Sequence, residues 1–152
     1  MKDKFVKKNT GRRLWGQVLS AGLLVSASFA AQALELVTPE EAARPDMPAG
    51  TRGVTRGPAI TLESPAAARS PMPLKVAVKA RGGAHIDPKS LRLTYLKTPM
   101  VDLTARVRPG ISETGIALDE VTLPPGLHRL LVHVADSEGR ETEVELKLDV
   151  AR

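Results

Sequence analysis

Hydrophobic residues recur at every second position over much of the chain from residue 58 onward. The segments Leu74–Ala80, Val101–Val107 and Thr142–Val150 show this alternation most clearly. Side chains of a β-strand point alternately to its two faces, so the spacing predicts strands with one buried and one exposed face. We expect seven such strands, at Ala59–Glu63, Leu74–Ala80, Leu91–Lys97, Val101–Val107, Ile116–Leu123, His128–Ala135 and Thr142–Val150.

The segments between these strands contain residues that favour turns. Pro124-Pro125-Gly126 fits a type II turn, because proline suits its first central position and glycine accepts the positive φ of its second. Asp136–Gly139 fits a short hairpin loop with Gly139 in the left-handed conformation. No long stretch of helical periodicity separates the strands. The pattern therefore predicts an all-β fold, an antiparallel sandwich.

Residues 1–33 have the layout of a secretory signal peptide. A basic start that ends at Arg12-Arg13 precedes an apolar run over Leu14–Phe29, which at about 16 residues is shorter than a bilayer-spanning helix. Ala31 and Ala33 supply the small residues on the N-terminal side of a cut after Ala33. The alternatives are a cut three residues earlier, an uncleaved membrane anchor, and twin-arginine export. We expect a periplasmic protein, with membrane contact only through an uncleaved signal peptide.

Residues 34–57 combine proline, glycine and scattered charges without sustained periodicity, which predicts a flexible lead. Within this lead, Thr38-Pro39-Glu40-Glu41 places a capping hydroxyl before a proline and a glutamate three residues after the cap. This arrangement predicts a single helical turn over Pro39–Ala43. The expected organisation is a signal peptide at 1–33, a flexible lead at 34–57 and a β domain at 58–152.

The composition after residue 33 argues against binding of nucleic acid or carbohydrate. Residues 1–33 hold six basic residues and one acidic residue, so the 22 basic and 17 acidic residues of the whole chain leave 16 of each beyond them. A phosphate-tracking surface needs an excess of Lys and Arg in the folded domain. Tyr95 is the only Phe, Trp or Tyr beyond residue 33. A single ring cannot form a stacking surface for bases or sugars.

The run Leu123–Arg140 resembles the penultimate strand and final hairpin of bacterial immunoglobulin-like domains, in which Pro-x-Gly, an alternating strand and Asp-x-x-Gly follow one another. Ile86–Leu93 is similar to the start of that family's third strand. The resemblance covers residues 58 to 151 and implies a seven-stranded immunoglobulin-like sandwich, preceded here by a signal-peptide helix and a flexible lead. The chain lacks the Cys pair and core Trp of antibody domains.

Three histidines follow the predicted signal peptide. Strand alternation turns His128 and His133 to opposite faces, so one strand cannot present both to a metal ion. The resemblance implies a structural hydrogen-bonding role for His128, whereas His85 is expected in a loop. An alternative function is that of a periplasmic copper carrier with His and Met ligands, since the ending is also similar to such sandwiches. That alternative would draw on His85, Met47, Met72 and Met100.

The sequence contains no motif of an enzyme active site. A G-x-S-x-G elbow, a Cys nucleophile, an H-E-x-x-H pair and a glycine-rich phosphate loop are all absent from it. We therefore expect neither catalytic residues nor a cofactor. The sequence favours a non-enzymatic module that binds another protein of the cell envelope.

Strand parity predicts where such a protein would bind. If Leu91, Leu93 and Tyr95 face the core, Leu96 faces outward, and the same argument turns Leu131 and His133 outward on the neighbouring strand. Leu96, Leu131 and His133 then form an apolar island with a charged margin. The alternative is that the proline-containing lead or the connection Ser64–Pro73 covers these side chains.

Overall fold

The computed structural model describes residues 33–48 and 56–152. Of the predicted signal peptide only Ala33 falls within this part, so its other residues, Ala31 among them, lie outside it. Ten strands occur in the described part: β1 Leu34–Glu35, β2 Ala59–Leu62, β3 Ala67–Arg69, β4 Met72–Lys79, β5 Arg92–Tyr95, β6 Val101–Asp102, β7 Ile111–Ser112, β8 Gly115–Thr122, β9 Gly126–Ala135 and β10 Glu141–Ala151. Helical turns are α1 Pro39–Ala42, α2 Thr104–Val107 and the 3-10 turns Pro88–Ser90 and Arg108–Gly110.

The strands form two sheets of five strands each, which confirms the all-β prediction. Sheet one has the order β1-β8-β4-β2, with β7 also paired to β8, and sheet two has the order β3-β10-β9-β5-β6. The β1–β8 and β3–β10 pairs are parallel, and the other named strand pairs are antiparallel. The structure thus differs from the prediction of seven strands by adding the short strands β1, β3 and β7.

The two sheets share one hydrophobic core, an arrangement consistent with a β-sandwich. Leu74, Val76 and Ile116 enter it from sheet one, and Leu130 and Leu148 enter it from sheet two. These side chains occupy the alternate positions that the sequence predicts to face inward. Burial of each such aliphatic side chain contributes roughly 1.5–3 kcal/mol to the free energy of unfolding. The alternation therefore orients the long strands and, with them, the outward faces.

The predicted strand over Val101–Val107 is wrong beyond its first two residues. After β6 the Asp102 carboxylate accepts a hydrogen bond of 2.8 Å from the Thr104 N–H, and the chain turns into α2. Leu103 and Val107 are both fully buried. Positions four apart share one side of a helical turn as well as one face of a strand. The same apolar spacing therefore fits both structures.

The prediction of a flexible lead is also wrong for residues 34–48 of it. β1 pairs with Val121–Thr122 of sheet one, and the next residues, Leu36 and Val37, are buried in the core. Burial of these two aliphatic side chains favours a fixed position, which a flexible lead would not have. Further along, Asp46 pairs with Lys97 at the end of β5. The segment therefore runs from sheet one to sheet two as part of the fold.

The helical turn predicted in this segment is confirmed as α1. The Thr38 hydroxyl accepts a hydrogen bond from the Glu41 N–H, and the Glu41 carboxylate accepts one from the Thr38 N–H. The same carboxylate accepts two hydrogen bonds of 2.7 Å from the Arg106 guanidinium of α2. Arg106 also donates to the Leu36 carbonyl oxygen. This ion pair connects the N-terminal segment to the helical turn that follows β6.

We expect Glu41→Gln to lower the free energy of unfolding by about 1–2 kcal/mol, because the glutamine amide has one acceptor oxygen where the carboxylate has two and so loses one of the two hydrogen bonds from Arg106 together with the negative charge. The hydrogen bonds from Arg106 lower the pKa of Glu41 from 4.5 to about 2. The stabilisation that this ion pair gives the folded chain is therefore present above pH 4.5 and is lost as the pH falls toward 2. Urea denaturation at several pH values measures both effects.

Glu40→Gln is the matched control, because Glu40 is the adjacent acidic residue of the same turn and is exposed. We expect this control to change the free energy of unfolding by less than about 0.5 kcal/mol. Equal losses in the two variants would contradict a specific role for the Glu41–Arg106 pair.

Candidate functional site

The outward face of sheet two carries two of the three residues that the sequence predicts as a binding patch. Leu131 of β9 is opposite Thr94 of β5 on one side and Glu145 of β10 on the other. His133 is opposite Glu143 in the same way. Side chains of directly opposed residues lie on one face, close enough to touch. We call the surface formed by Thr94, Leu131, His133, Glu143 and Glu145 the sheet-two face.

Polar contacts hold the side chains around Leu131 in place. Arg129 donates through Nε to Glu145 Oε1 at 2.8 Å and through Nη2 to Glu145 Oε2 at 3.1 Å. These hydrogen bonds to Glu145 raise the pKa of Arg129 above its ordinary value. His133 Nδ1 lies 3.3 Å from Glu143 Oε1. Leu131 itself is half-buried, so this aliphatic side chain lies among charged groups that pair across the strands.

The prediction that Leu96 belongs to this exposed surface is wrong, because its side chain is only 6% exposed. The N-terminal segment runs alongside the chain at this point. Met47 donates its N–H to the Leu96 carbonyl oxygen at 3.2 Å, and Thr98 donates to the Pro45 carbonyl oxygen at 2.9 Å. Arg129 Nη1 donates to the Met47 carbonyl oxygen. The alternative prediction, cover by the lead, is thus supported at Leu96, whereas Leu131 and His133 remain half-buried.

A buried polar pair lies on the inner side of the same strands. The Tyr95 hydroxyl is 2.9 Å from His128 Nδ1, and His128 Nε2 is 2.7 Å from the Pro124 carbonyl oxygen. A carbonyl can only accept, so we assign the ring proton to Nε2, and Nδ1 then accepts from the tyrosine. Burial lowers the pKa of His128 and raises the pKa of Tyr95 to about 12. Both groups are therefore neutral at pH 7, and His128 has no ring nitrogen left for a metal ion.

Lys97 contacts both this pair and the N-terminal segment. Its Nζ lies 5.4 Å from the centroid of the Tyr95 ring and 2.7 Å from Asp46 Oδ1. The lysine side chain is only 7% exposed, whereas the aspartate side chain is 62% exposed. Burial of the ammonium group is thus accompanied by both a carboxylate partner and an aromatic face.

The structure keeps His85 and Met100, two ligands of the copper alternative, apart. His85 precedes the Ile86–Asp136 bridge at one end of sheet two, whereas Met100 follows β5 at the other end. Their neighbours Ile86 and Tyr95 pair with Asp136 and Leu130, which lie six residues apart along one strand. His85 and Met100 are therefore separated by about 20 Å. Met72 is buried in sheet one. Among residues 33–48 and 56–152, no three side chains of His, Cys, Asp or Glu are grouped to hold a metal ion.

Strand parity also places Glu145 on this face, but sequence reasoning missed Arg129 and its ion pair with Glu145. Alternation alone turns both side chains outward, since Arg129 shares the parity of Leu131 and Glu145 shares that of Glu143. Alternation does not give the register of β9 against β10. That register places Leu131 opposite Glu145, beside the ion pair of Glu145 with Arg129. The observed register follows from a shorter loop, Ser137–Gly139, because Asp136 pairs with Arg140 and Ala135 then lies opposite Glu141.

No protein-family model matches the chain, and neither a curated protein nor a solved structure matches it. In the part of the chain that the structure describes, no helix has the length and apolar character needed to cross a bilayer. The candidate site is therefore defined by the geometry of the sheet-two face and of the buried pair beneath it.

We expect the free energy of unfolding to fall as the pH is lowered from about 7.5, because burial holds the pKa of His128 below its ordinary 6.5. The unfolded chain takes up a proton near pH 6.5 and the folded chain does not. The free energy of unfolding therefore keeps falling with pH down to the folded-state pKa of His128. His128→Gln removes this titration and should flatten the slope between about pH 7.5 and pH 5. Loss of a buried hydrogen bond should also cost about 1–3 kcal/mol at pH 7.5.

Urea denaturation across this pH range measures the slope. His85→Gln, the same substitution at a loop position, is the matched control for replacement of a histidine as such. An unchanged slope in His128→Gln would show that the buried pair does not carry the pH dependence.

Proposed function

We propose that the protein is an exported, non-enzymatic immunoglobulin-like module that binds another protein of the cell envelope through the sheet-two face. The proposal has three parts, which are the immunoglobulin-like arrangement, the binding surface and the export. Each part is supported by a different observation.

The strand order supports the immunoglobulin-like arrangement. Such a domain has strands A, B, E and D in one sheet and C, F and G in the other. The order β2-β4-β8-β7 corresponds to A-B-E-D, and β10-β9-β5 corresponds to G-F-C. Seven of the ten described strands then form the immunoglobulin-like set, and β1, β3 and β6 extend it. In this assignment the fourth strand is β7 and not the segment Val101–Val107.

The contacts of His128 also support this arrangement. Immunoglobulin domains carry a tyrosine near the start of strand F that hydrogen-bonds to the backbone a few residues upstream. His128 lies near the start of β9 and is hydrogen-bonded to the carbonyl oxygen of Pro124, four residues upstream. Its other ring nitrogen reaches Tyr95 on β5, the counterpart of strand C. The pair thus joins the counterpart of strand C, which carries the core tryptophan of antibody domains, to the counterpart of strand F, which carries one cysteine of their disulfide.

The observation that carries the binding proposal is the position of Leu131 on the sheet-two face. This half-buried aliphatic side chain has Arg129 and His133 beside it on the same face of β9, and Glu145 opposite it on β10. Protein interfaces combine an apolar centre with a polar rim. The ion pair of Arg129 and Glu145 fixes part of that rim before a partner arrives, which lowers the entropy cost of binding.

The start of β1 supports export with cleavage after Ala33. Leu34 is the first strand residue of the described part, and its neighbours Leu36 and Val37 are buried in the core. A cut between Ala33 and Leu34 would leave β1 and these buried residues intact. The basic and apolar pattern of residues 1–33 supplies the other half of this argument.

If export and cleavage occur as proposed, mass spectrometry of the protein from a periplasmic extract should find Leu34 at the mature N-terminus. Changing Ala33 to a bulky residue such as Phe should suppress this product, because the cut requires a small residue at that position. A full-length chain retained in the membrane fraction would refute the proposal.

The binding surface can be tested by photo-crosslinking in the envelope. A photoreactive residue in place of His133 should give a discrete adduct of higher mass. In the same chain, Leu131→Gln should weaken the adduct about fivefold, because it removes about 1 kcal/mol of apolar contact at the centre. Leu127→Gln is the matched control, since Leu127 lies on the same strand with the same parity and is 57% exposed.

A melting curve establishes that each variant is folded. Absence of an adduct, or equal effects of the Leu131 and Leu127 substitutions, would rule out the sheet-two face as the binding surface.

A further inference from the structure

A cleft of about 300 Å³ lies at the β5–β6 edge of sheet two. It exists because β6 pairs with only two residues of β5. Beyond them α2 takes the place of a strand, since Leu103 donates its N–H to the Leu93 carbonyl oxygen and the Thr104 hydroxyl accepts from the Leu93 N–H at 3.1 Å. The chain then turns away through Arg108–Gly110. The gap between this turn and the turn Pro88–Ser90 is the cleft.

Three cationic side chains line this cleft, namely Lys89, Arg92 and Arg108, and no carboxylate does. Within the described ranges none of the three forms an ion pair. The nearby Asp102 carboxylate accepts from the Thr104 N–H and is not part of the lining. The charge of Arg92 also acts on Asp102, but three cations beside one carboxylate leave a net positive charge at the cleft. Their common position therefore favours an anion.

Arg92 is held in a fixed orientation at this cleft. Its Nη1 donates to the Lys89 carbonyl oxygen at 2.8 Å and to the Leu91 carbonyl oxygen at 3.2 Å. These are the only hydrogen bonds of its guanidinium within the described residues, so the N–H groups of Nε and Nη2 are available to a ligand. A preorganised guanidinium loses little side-chain entropy when it binds an oxyanion through two hydrogen bonds.

The remaining lining of the cleft is apolar or already hydrogen-bonded. Leu91 is fully buried, Ile111 is half-buried, and the Thr104 hydroxyl is engaged with the Leu93 backbone. The polar interactions open to a ligand therefore come from the three cations. The volume is at the lower end of the range for small-molecule sites. It suits a compact headgroup and excludes an extended chain.

We propose that this cleft binds a phosphoryl group, either free in solution as phosphate or a small phosphate ester or as the headgroup of a lipid. Three positive charges match inorganic phosphate or a phosphate monoester, which carries more than one negative charge near pH 7, better than a carboxylate or a phosphodiester, which carries one. The planar guanidinium of Arg92 also matches two phosphate oxygens. This activity is additional to the proposed protein contact and does not depend on it.

The first experiment titrates the full chain with inorganic phosphate at constant ionic strength and measures binding by calorimetry. We expect saturable binding at one site, weakened about tenfold in Lys89→Gln/Arg108→Gln, which removes two charge-assisted contacts. The side chains of these two residues make no hydrogen bond within the described residues, so the variant should keep the parent melting temperature. Arg92→Lys keeps the charge but not the fork, and it should also weaken binding.

The matched control is Arg69→Gln/Lys79→Gln, which removes the same charge from exposed positions outside the cleft. It should leave the phosphate affinity unchanged. Equal weakening in this control would show that binding depends on net charge alone and would overturn the site. Absence of saturable binding to phosphate or to glycerol phosphate would overturn a soluble ligand.

The second experiment separates the two sources of the group. Vesicles of phosphatidic acid, a phosphate monoester, in phosphatidylcholine are floated with the parent chain and with Lys89→Gln/Arg108→Gln, so that any attachment through residues 1–33 is common to both. If the parent chain floats with the vesicles and the variant does not, the ligand of the cleft is a lipid headgroup. If the two chains float equally and phosphate binds in the calorimetry, the ligand is the soluble one. If they float equally and phosphate does not bind, the proposal is overturned.

Discussion

The hydrogen bond between the Tyr95 hydroxyl and His128 Nδ1 is the buried polar contact that aligns β5 with β9 in sheet two. Both groups are buried, so each must be neutral and each must find a partner. His128 meets this requirement on its other side through the Pro124 carbonyl oxygen. The pair therefore fixes β5 against β9 and β9 against the turn that precedes it.

The surface of the sheet follows from this alignment. With Tyr95 opposite Leu130, Thr94 lies opposite Leu131 and Arg92 lies opposite His133. A slip of one residue would reverse every side chain of the strand, turning Leu131 inward and His128 outward. The composition of the sheet-two face and the position of Arg92 at the cleft are thus consequences of one buried register.

The N-terminal segment and α2 stabilise the edges of the two sheets. Glu41 and Arg106 hold them together, and Asp46 with Lys97 fixes the far end of the segment beside β5. Exposed strand edges invite pairing with other chains, and covering them is a common protection. Arg106, Arg129 and Lys97 are paired and hold the fold together, whereas Lys89, Arg92 and Arg108 at the cleft form no ion pair within the described residues.

The amino-acid sequence by itself determined the features that depend on neighbours along the chain. The alternation in β4, β9 and β10, the capping box at Thr38 and the glycine of the last hairpin are local, because backbone geometry sets the period of a strand and the φ that glycine adopts. Gly139 has the positive φ that its turn predicts. The outward orientation of Leu131 and His133 is of the same kind.

Tertiary structure decided what depends on residues far apart in sequence. The spacing of Leu103 and Val107 suits a strand or a helical turn, and packing against β5 selected the turn. Leu96 has the parity of an exposed residue and is buried because residues 45–47 pair with it. Lys89, Arg92 and Arg108 have no common period, and they converge only because β6 is short. Periodicity specifies which side a residue faces, but the segment that covers that side is set by contacts between distant parts of the chain.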